Sequence, residues 1–217
     1  VSGEILGQGE AHFPNGAVYQ GHFAKGKPDG IGKITFGDGG TYQGNWSEGV
    51  ISGRGVSVYS NGTRYDGEFR DGMHNGSGIM TYPDGAIYEG TWVNNKKQGQ
   101  AKVTYPDGAL YIGEISDGLR DGEGTLTMPD GVIYEGTWQA GEISGAGRLE
   151  QPNGDNYEGM LEGGRRQGKG VVVYANGNIY KGDFDQDQRH GQGEFTSEDG
   201  YKSVSYTHLT LPTKDSV

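Results

Sequence analysis

Two stretches of this sequence place residues at spacings that could do chemistry. Gly163-Gly164-Arg165-Arg166-Gln167-Gly168-Lys169-Gly170 is nearly a phosphate-binding loop, in which backbone amides cradle a phosphate and a lysine reaches it. Such a loop needs a Ser or Thr after the lysine to hold magnesium; Gly170 stands there, and no helical pattern follows. Asp183, Asp185, Asp187 and Glu194 fall at the first, third, fifth and twelfth positions of a calcium loop. Its sixth position, where a sharp turn calls for glycine, is Gln188. His12, His22, His74, His190 and His208 share no metal-ligating spacing, and neither a Ser-His-Asp set nor a carboxylate pair stands out. No catalytic residue, cofactor or metal is therefore expected, and the chain reads as non-enzymatic. Asn45-Trp-Ser, Asn61-Gly-Thr and Asn75-Gly-Ser have the form of glycosylation acceptors, but no secretory signal is read and they are taken as turn and strand residues.

The glycines of the first near-motif belong to a longer period. Tyr19, Tyr42, Tyr65, Tyr88, Tyr111, Tyr134, Tyr157 and Tyr180 are each 23 residues apart. A glycine follows each by two positions, and a bulky apolar residue by four: Phe23, Trp46, Phe69, Trp92, Ile115, Trp138, Leu161 and Phe184. Further glycines recur eleven, thirteen and twenty after each tyrosine, with Ala101 the exception at thirteen. Fixed periods of this size mark repeat folds. Tyr-x-Gly-x-Trp alternates with period two, as a half-buried strand does, and its glycine would leave room for a neighbouring ring. A second strand is expected over stretches such as Ala101–Tyr105, and Pro-Asp-Gly at 83–85, 106–108 and 129–131 signals turns. Between the strands a longer glycine-bounded loop is expected, as at Gly118–Gly124.

Composition supports this reading. Glycine numbers 44 and proline 7, cysteine is absent, and the net charge is −11. Scarce proline and no three-residue period exclude collagen, and 14 Tyr, 6 Phe and 3 Trp argue against a solvated tail. No apolar run is long enough to span a membrane as a helix, and the acidic balance disfavours nucleic acid. A lone hairpin is marginal in water, but stacked hairpins bury a continuous aromatic face. The expected fold is all-β: an elongated single-layer solenoid of stacked antiparallel β-hairpins with 23-residue repeats, roughly 80 Å long at about 10 Å per unit. Residues 1–200 would form the array, a partial first unit and then eight units from Tyr19 to Tyr180; residues 201–217 would be an unstructured tail, with 205–214 similar to translated adaptor sequence. The start at Val1 rather than Met fits a fragment.

These residues resemble the MORN repeat, whose pattern is Tyr-x-Gly-x-Trp-x-x-Gly-x-x-x-Gly-x-Gly before an Asp-Gly turn. Tyr134-Glu135-Gly136-Thr137-Trp138 with Gly141, Gly145, Gly147 and Pro129-Asp130-Gly131 matches closely. Asn95 and Asp187 depart at the glycine seven after tyrosine, and Ile115 and Leu161 at the aromatic. The resemblance implies a scaffold or binding module, found in cytoskeletal, ciliary and membrane-junction proteins and beside lipid-kinase or methyltransferase domains.

Two stripes are the candidate binding features. The aromatic ladder would line a groove for an apolar protein segment or helix, with Trp46, Trp92, Trp138, Tyr65, Tyr88, Tyr111 and Tyr134 as its contact residues. Basic residues eight to ten after each tyrosine, among them Lys96, Lys97, Arg120, Arg165, Arg166 and Arg189, would form loops able to bind anionic headgroups. The expected function is a scaffold for protein partners, self-associating through open sheet edges. The alternatives are peripheral binding of phosphoinositide membranes, or the regulatory arm of an enzyme such as a lipid kinase. The expected setting is cytoplasmic, with association to cytoskeleton or membrane.

Overall fold

The computed structural model describes residues 6–207, which divide into two compact units after Gly118. The first unit holds β1 (Gly7–His12), β2 (Val18–Ala24), β3 (Lys27–Thr35), β4 (Thr41–Ser47), β5 (Val50–Val58), β6 (Arg64–Arg70), β7 (Met73–Thr81), β8 (Ile87–Val93), β9 (Lys96–Thr104) and β10 (Leu110–Ser116). The second holds β11 (Leu119–Thr127), β12 (Ile133–Gln139), β13 (Glu142–Glu150), β14 (Asn156–Glu162), β15 (Arg165–Val173), β16 (Ile179–Asp185), β17 (Gln188–Thr196) and β18 (Lys202–Thr207). Within each unit every strand pairs antiparallel with the next in sequence. Among the described residues there is no helix. The fold is the expected all-β stack of hairpins with a 23-residue repeat.

Two turns alternate. After each seven-residue strand the chain reverses in two residues that both have positive φ, such as Lys25 and Gly26 at 51° and 77°. This is the type I′ geometry that suits the twist of a hairpin. After each nine-residue strand comes a wider turn. There the Phe36 amide donates to the Gly40 carbonyl and the Gly39 amide to the Phe36 carbonyl, with Gly39 at φ 90°. The Asp38 carboxylate accepts from the Gly40 amide, the usual Asp turn contact.

The expected glycine-bounded loops are not loops. Gly118–Gly124 runs into β11, and its counterparts run into β3, β5, β7, β9, β13, β15 and β17. The glycine eleven after tyrosine instead absorbs a register skip. Gly21 pairs with Gly32 but Phe23 with Pro28, so the single residue between on β2 faces three on β3, among them Gly30 at φ 90°. A bulge bends the strand and carries the remainder onward in hydrogen-bonding register.

The tail also departs from expectation. Residues 202–207 form β18, which pairs Ser203 with Phe195 and Ser205 with Gly193. Ser203 thus takes the place a tyrosine holds in the other repeats, and Ser205 that of the glycine. Backbone pairing continues the frame where the side-chain signature has ended. The rest of the expected tail, 208–217, lies outside the described residues.

Candidate protein-interaction face

The glycines two and thirteen after each tyrosine pair across the strands, as in Gly21 with Gly32, Gly32 with Gly44 and Gly44 with Gly55. The ring lying across this row is the tyrosine of the same repeat, not a neighbour's. A Cβ at Gly44 would stand 2.5 Å from both the Tyr42 hydroxyl and the Gly55 Cα. Every ladder tyrosine then donates its hydroxyl to the carbonyl three residues on, at 2.9 Å for Tyr19, Tyr42, Tyr65 and Tyr134. Burial pushes the Tyr42, Tyr88 and Tyr134 hydroxyls up to about 12.

The sequence-predicted anchors are in this floor. Trp46, Trp92 and Trp138 are buried, as are Tyr65, Tyr88, Tyr111 and Tyr134. Their rings meet edge to face: Tyr19 with Trp46 at 5.1 Å, Tyr42 with Phe69 at 5.1 Å, Tyr65 with Trp92 at 5.4 Å, and Tyr134 with Trp138 at 5.3 Å. Such contacts add to area burial. The three tryptophans therefore serve as core, and a partner on this face would meet what stands over and beside them.

What covers the rings is the side chain nine after each tyrosine: Pro28, Ile51, His74, Lys97, Arg120, Ile143, Arg166 and Arg189. The Lys97 ammonium sits 4.7 Å from the Tyr88 ring and 5.0 Å from that of Tyr82. The Arg120 guanidinium lies 3.9 Å from the Trp138 ring, that of Arg166 5.2 Å from Phe184, and that of Arg189 4.4 Å from Tyr180. His74 stacks on Tyr65 at 3.8 Å and hydrogen-bonds the Tyr59 hydroxyl through Nε2 at 2.7 Å. Burial lowers its pKa to about 4.

Four of the six basic residues expected in solvent loops thus lie on strands over the protein's own rings. Arg166 also bonds Asp187 at 3.2 Å, Lys96 bonds Asp117 at 3.0 Å, and Arg165 bonds the Gln186 side chain at 2.5 Å. The near-calcium carboxylates diverge in the same way: Asp183 bonds Lys169 at 3.0 Å, Glu194 bonds Lys202 at 2.8 Å, and Asp187 faces Arg166. Gly163 and Gly164 of the near-phosphate loop are a two-residue hairpin turn leading into β15. Among the described residues no group of three or more His, Cys, Asp or Glu is placed to hold a metal.

A row missed in the sequence stands beside the floor. Phe13, Phe36, Tyr59, Tyr82, Tyr105 and Tyr174 precede the wide turns, also on the 23-residue period, and Phe13, Phe36 and Tyr59 are 39%, 37% and 40% exposed. Their spacing was available as a signal, hidden by their place at the strand-to-turn junction. In the first unit Phe13, Tyr19, Pro28, Ile34, Phe36 and Trp46 line a half-open, mostly apolar hollow of about 220 Å³. The opposite side of the second unit's sheet has a wide open groove with mixed charge, including Arg148, Glu158, Lys169 and Lys181.

This arrangement, hairpins whose tyrosines lie on glycine rows beneath side-chain covers, defines a β-hairpin repeat protein. The MORN repeat family model matches residues 19–41, 42–64, 65–87, 88–110, 111–133, 134–156, 157–179 and 180–200, and the chain belongs to that family. No curated protein matches it. Among solved structures, the G-box domain of the microcephaly protein CPAP is 16% identical, covering 93% of this chain and 100% of that one with a TM-score of 0.52. The TCP10 domain of Danio rerio CPAP is 17% identical over 91% of this chain and 99% of that one, with a TM-score of 0.47. The first of these likenesses extends to the fold.

Proposed function

We propose that this chain is a non-enzymatic scaffold that binds protein partners across the face carrying the tyrosine ladder. One observation carries the reading: Phe13, Phe36 and Tyr59 stand more than a third exposed beside a floor of fully buried tyrosines. Half-exposed aromatics on a rigid base are the side chains that dominate protein interfaces. A rigid floor lets them be ordered before binding, which lowers its entropic cost. The partner meets Phe36 and Tyr59 directly, with buried Trp46 beside Phe36 only as support. Membrane binding through the basic residues ranks second, because Lys97, Arg120, Arg166 and Arg189 are engaged with rings and the net charge of −11 repels anionic lipid.

A photo-crosslinking amino acid placed at Phe36 or Tyr59, and as a control at Gln43 on the opposite face, tests this in cell extract. Specific protein adducts are expected from the first two positions only. Adducts from position 43 alone, or none from any position, would overturn the reading. Phosphoinositide vesicles that bind the parent but not Lys96→Glu/Arg165→Glu would favour the membrane instead.

A further inference from the structure

The eight positions nine after tyrosine are one slot repeated, and the repeats disagree about what fills it. Where the following repeat supplies a tryptophan to close the slot, the occupant is once the neutral imidazole of His74, 5.1 Å from Trp92, and once the guanidinium of Arg120, 3.9 Å from Trp138. The third slot closed by a tryptophan, at Trp46, holds only Pro28. In the repeats followed by Phe69 and Leu161 the same position is Ile51 and Ile143. Proline is short, and the apolar hollow of about 220 Å³ is what it leaves.

Arg166, which covers the Phe184 ring, also has a carboxylate at hand in Asp187. Next to Pro28 in the chain, though not among the residues that line the hollow, half-buried Asp29 accepts a 3.1 Å hydrogen bond on its carboxylate from the Glu48 amide. After burial, its charge is the second reason the Tyr19 hydroxyl titrates above its ordinary value. The ring faces and this charge both favour a cation.

We infer that the hollow bounded by Phe13, Tyr19, Phe36 and Trp46 is a receptor for one lysine or arginine side chain of a partner protein, which enters where other repeats insert their own. The inference rests on the proposed partner face and names the partner's chemistry there. It makes the first repeat a specificity site: the acceptor of a basic residue flanked by apolar contacts to Phe36 and Tyr59.

The test is a titration of the full chain with the peptides acetyl-Gly-Arg-Gly-amide and acetyl-Gly-Lys-Gly-amide, read on the Trp46 indole Nε1–H resonance. A norleucine peptide of the same length is the control. Saturable shifts are expected for at least one basic peptide, with norleucine about tenfold weaker. Asp29→Asn, which keeps an acceptor for the Glu48 amide, should weaken binding severalfold. Pro28→Arg should abolish it by filling the slot from within. Equal binding of norleucine, or no saturable shift with either basic peptide, would overturn the inference. Crosslinking from Phe36 would survive either result, so the slot and the face fail separately.

Discussion

The hydroxyl of Tyr42 donates a 2.9 Å hydrogen bond to the carbonyl of Asn45, three residues along the same strand, with the hydroxyl over Gly44 between them and the ring edge over Gly55 of the paired strand. Asn45 is the residue that the register skip leaves out of the β4–β5 ladder. The side chain therefore stabilises the bulge that its own repeat creates. Tyr42→Phe keeps the ring and removes the donor, so stability should drop by about 1 kcal/mol in a urea melt. No change would show that the bulge holds without the hydroxyl.

Gly44→Ala tests the space rather than the bond. Its Cβ would sit 2.5 Å from the Tyr42 hydroxyl and the Gly55 Cα, and backbone on the far side leaves little room to shift. A loss of about 3 kcal/mol is expected by chemical denaturation. The same change at exposed Gly72, which meets nothing within 4 Å, should cost only its positive-φ strain.

His74 should give the fold an acid-sensitive limb. Burial lowers its pKa from 6.5 to about 4, so the folded chain stays neutral there while the unfolded chain takes up a proton. Its contribution is complete above pH 6.5 and declines as pH falls toward about 4, by on the order of 3 kcal/mol in all. His74→Phe keeps a ring on Tyr65 and should flatten that limb when denaturation midpoints at about pH 7.5 and about pH 5 are compared. An unchanged slope would assign the sensitivity to other groups.

Ala140 opens a two-residue turn at φ 49°, a conformation costly for a residue with a Cβ. Ala140→Gly should raise stability by up to about 1 kcal/mol, seen as a higher melting temperature. Its amide would still donate to Asp121, at 3.0 Å in the parent.

Arg166 covers the Phe184 ring and bonds Asp187, with its side chain 25% exposed. Arg166→Glu should lower stability by about 1–2 kcal/mol, with Arg166→Leu intermediate because it keeps the apolar cover. Full stability in the Glu variant would mean that the guanidinium is free for an external anion.

Much of this was legible from the residues. The repeat frame, the paired strands and the Pro-Asp-Gly turns follow from local demands. A glycine is needed where φ is positive, as at Gly39, or where a ring crosses the backbone, as at Gly55. Alternation then sets which side chains share a face. The length of the second strand was not legible, because glycines such as Gly30 look like loop boundaries until the register skip is seen. Nor was β18, since strand pairing uses backbone that Ser203 and Ser205 supply as well as Tyr and Gly do.

The candidate site divides along the same line. The sequence by itself determined that tyrosines, aromatics and basic residues recur in stripes, because each stripe is a fixed offset within one repeat. Only the tertiary structure decided which stripe is floor and which is surface. The two-residue turn at Asn94 and Asn95 folds Lys97 back over Tyr88 and Trp92, so that charge expected in solvent becomes cover and rings expected to bind become core. Exposure is a sum over neighbouring strands, and at Pro28 that sum leaves a hollow bounded by Phe13, Phe36 and Trp46 from three successive repeats.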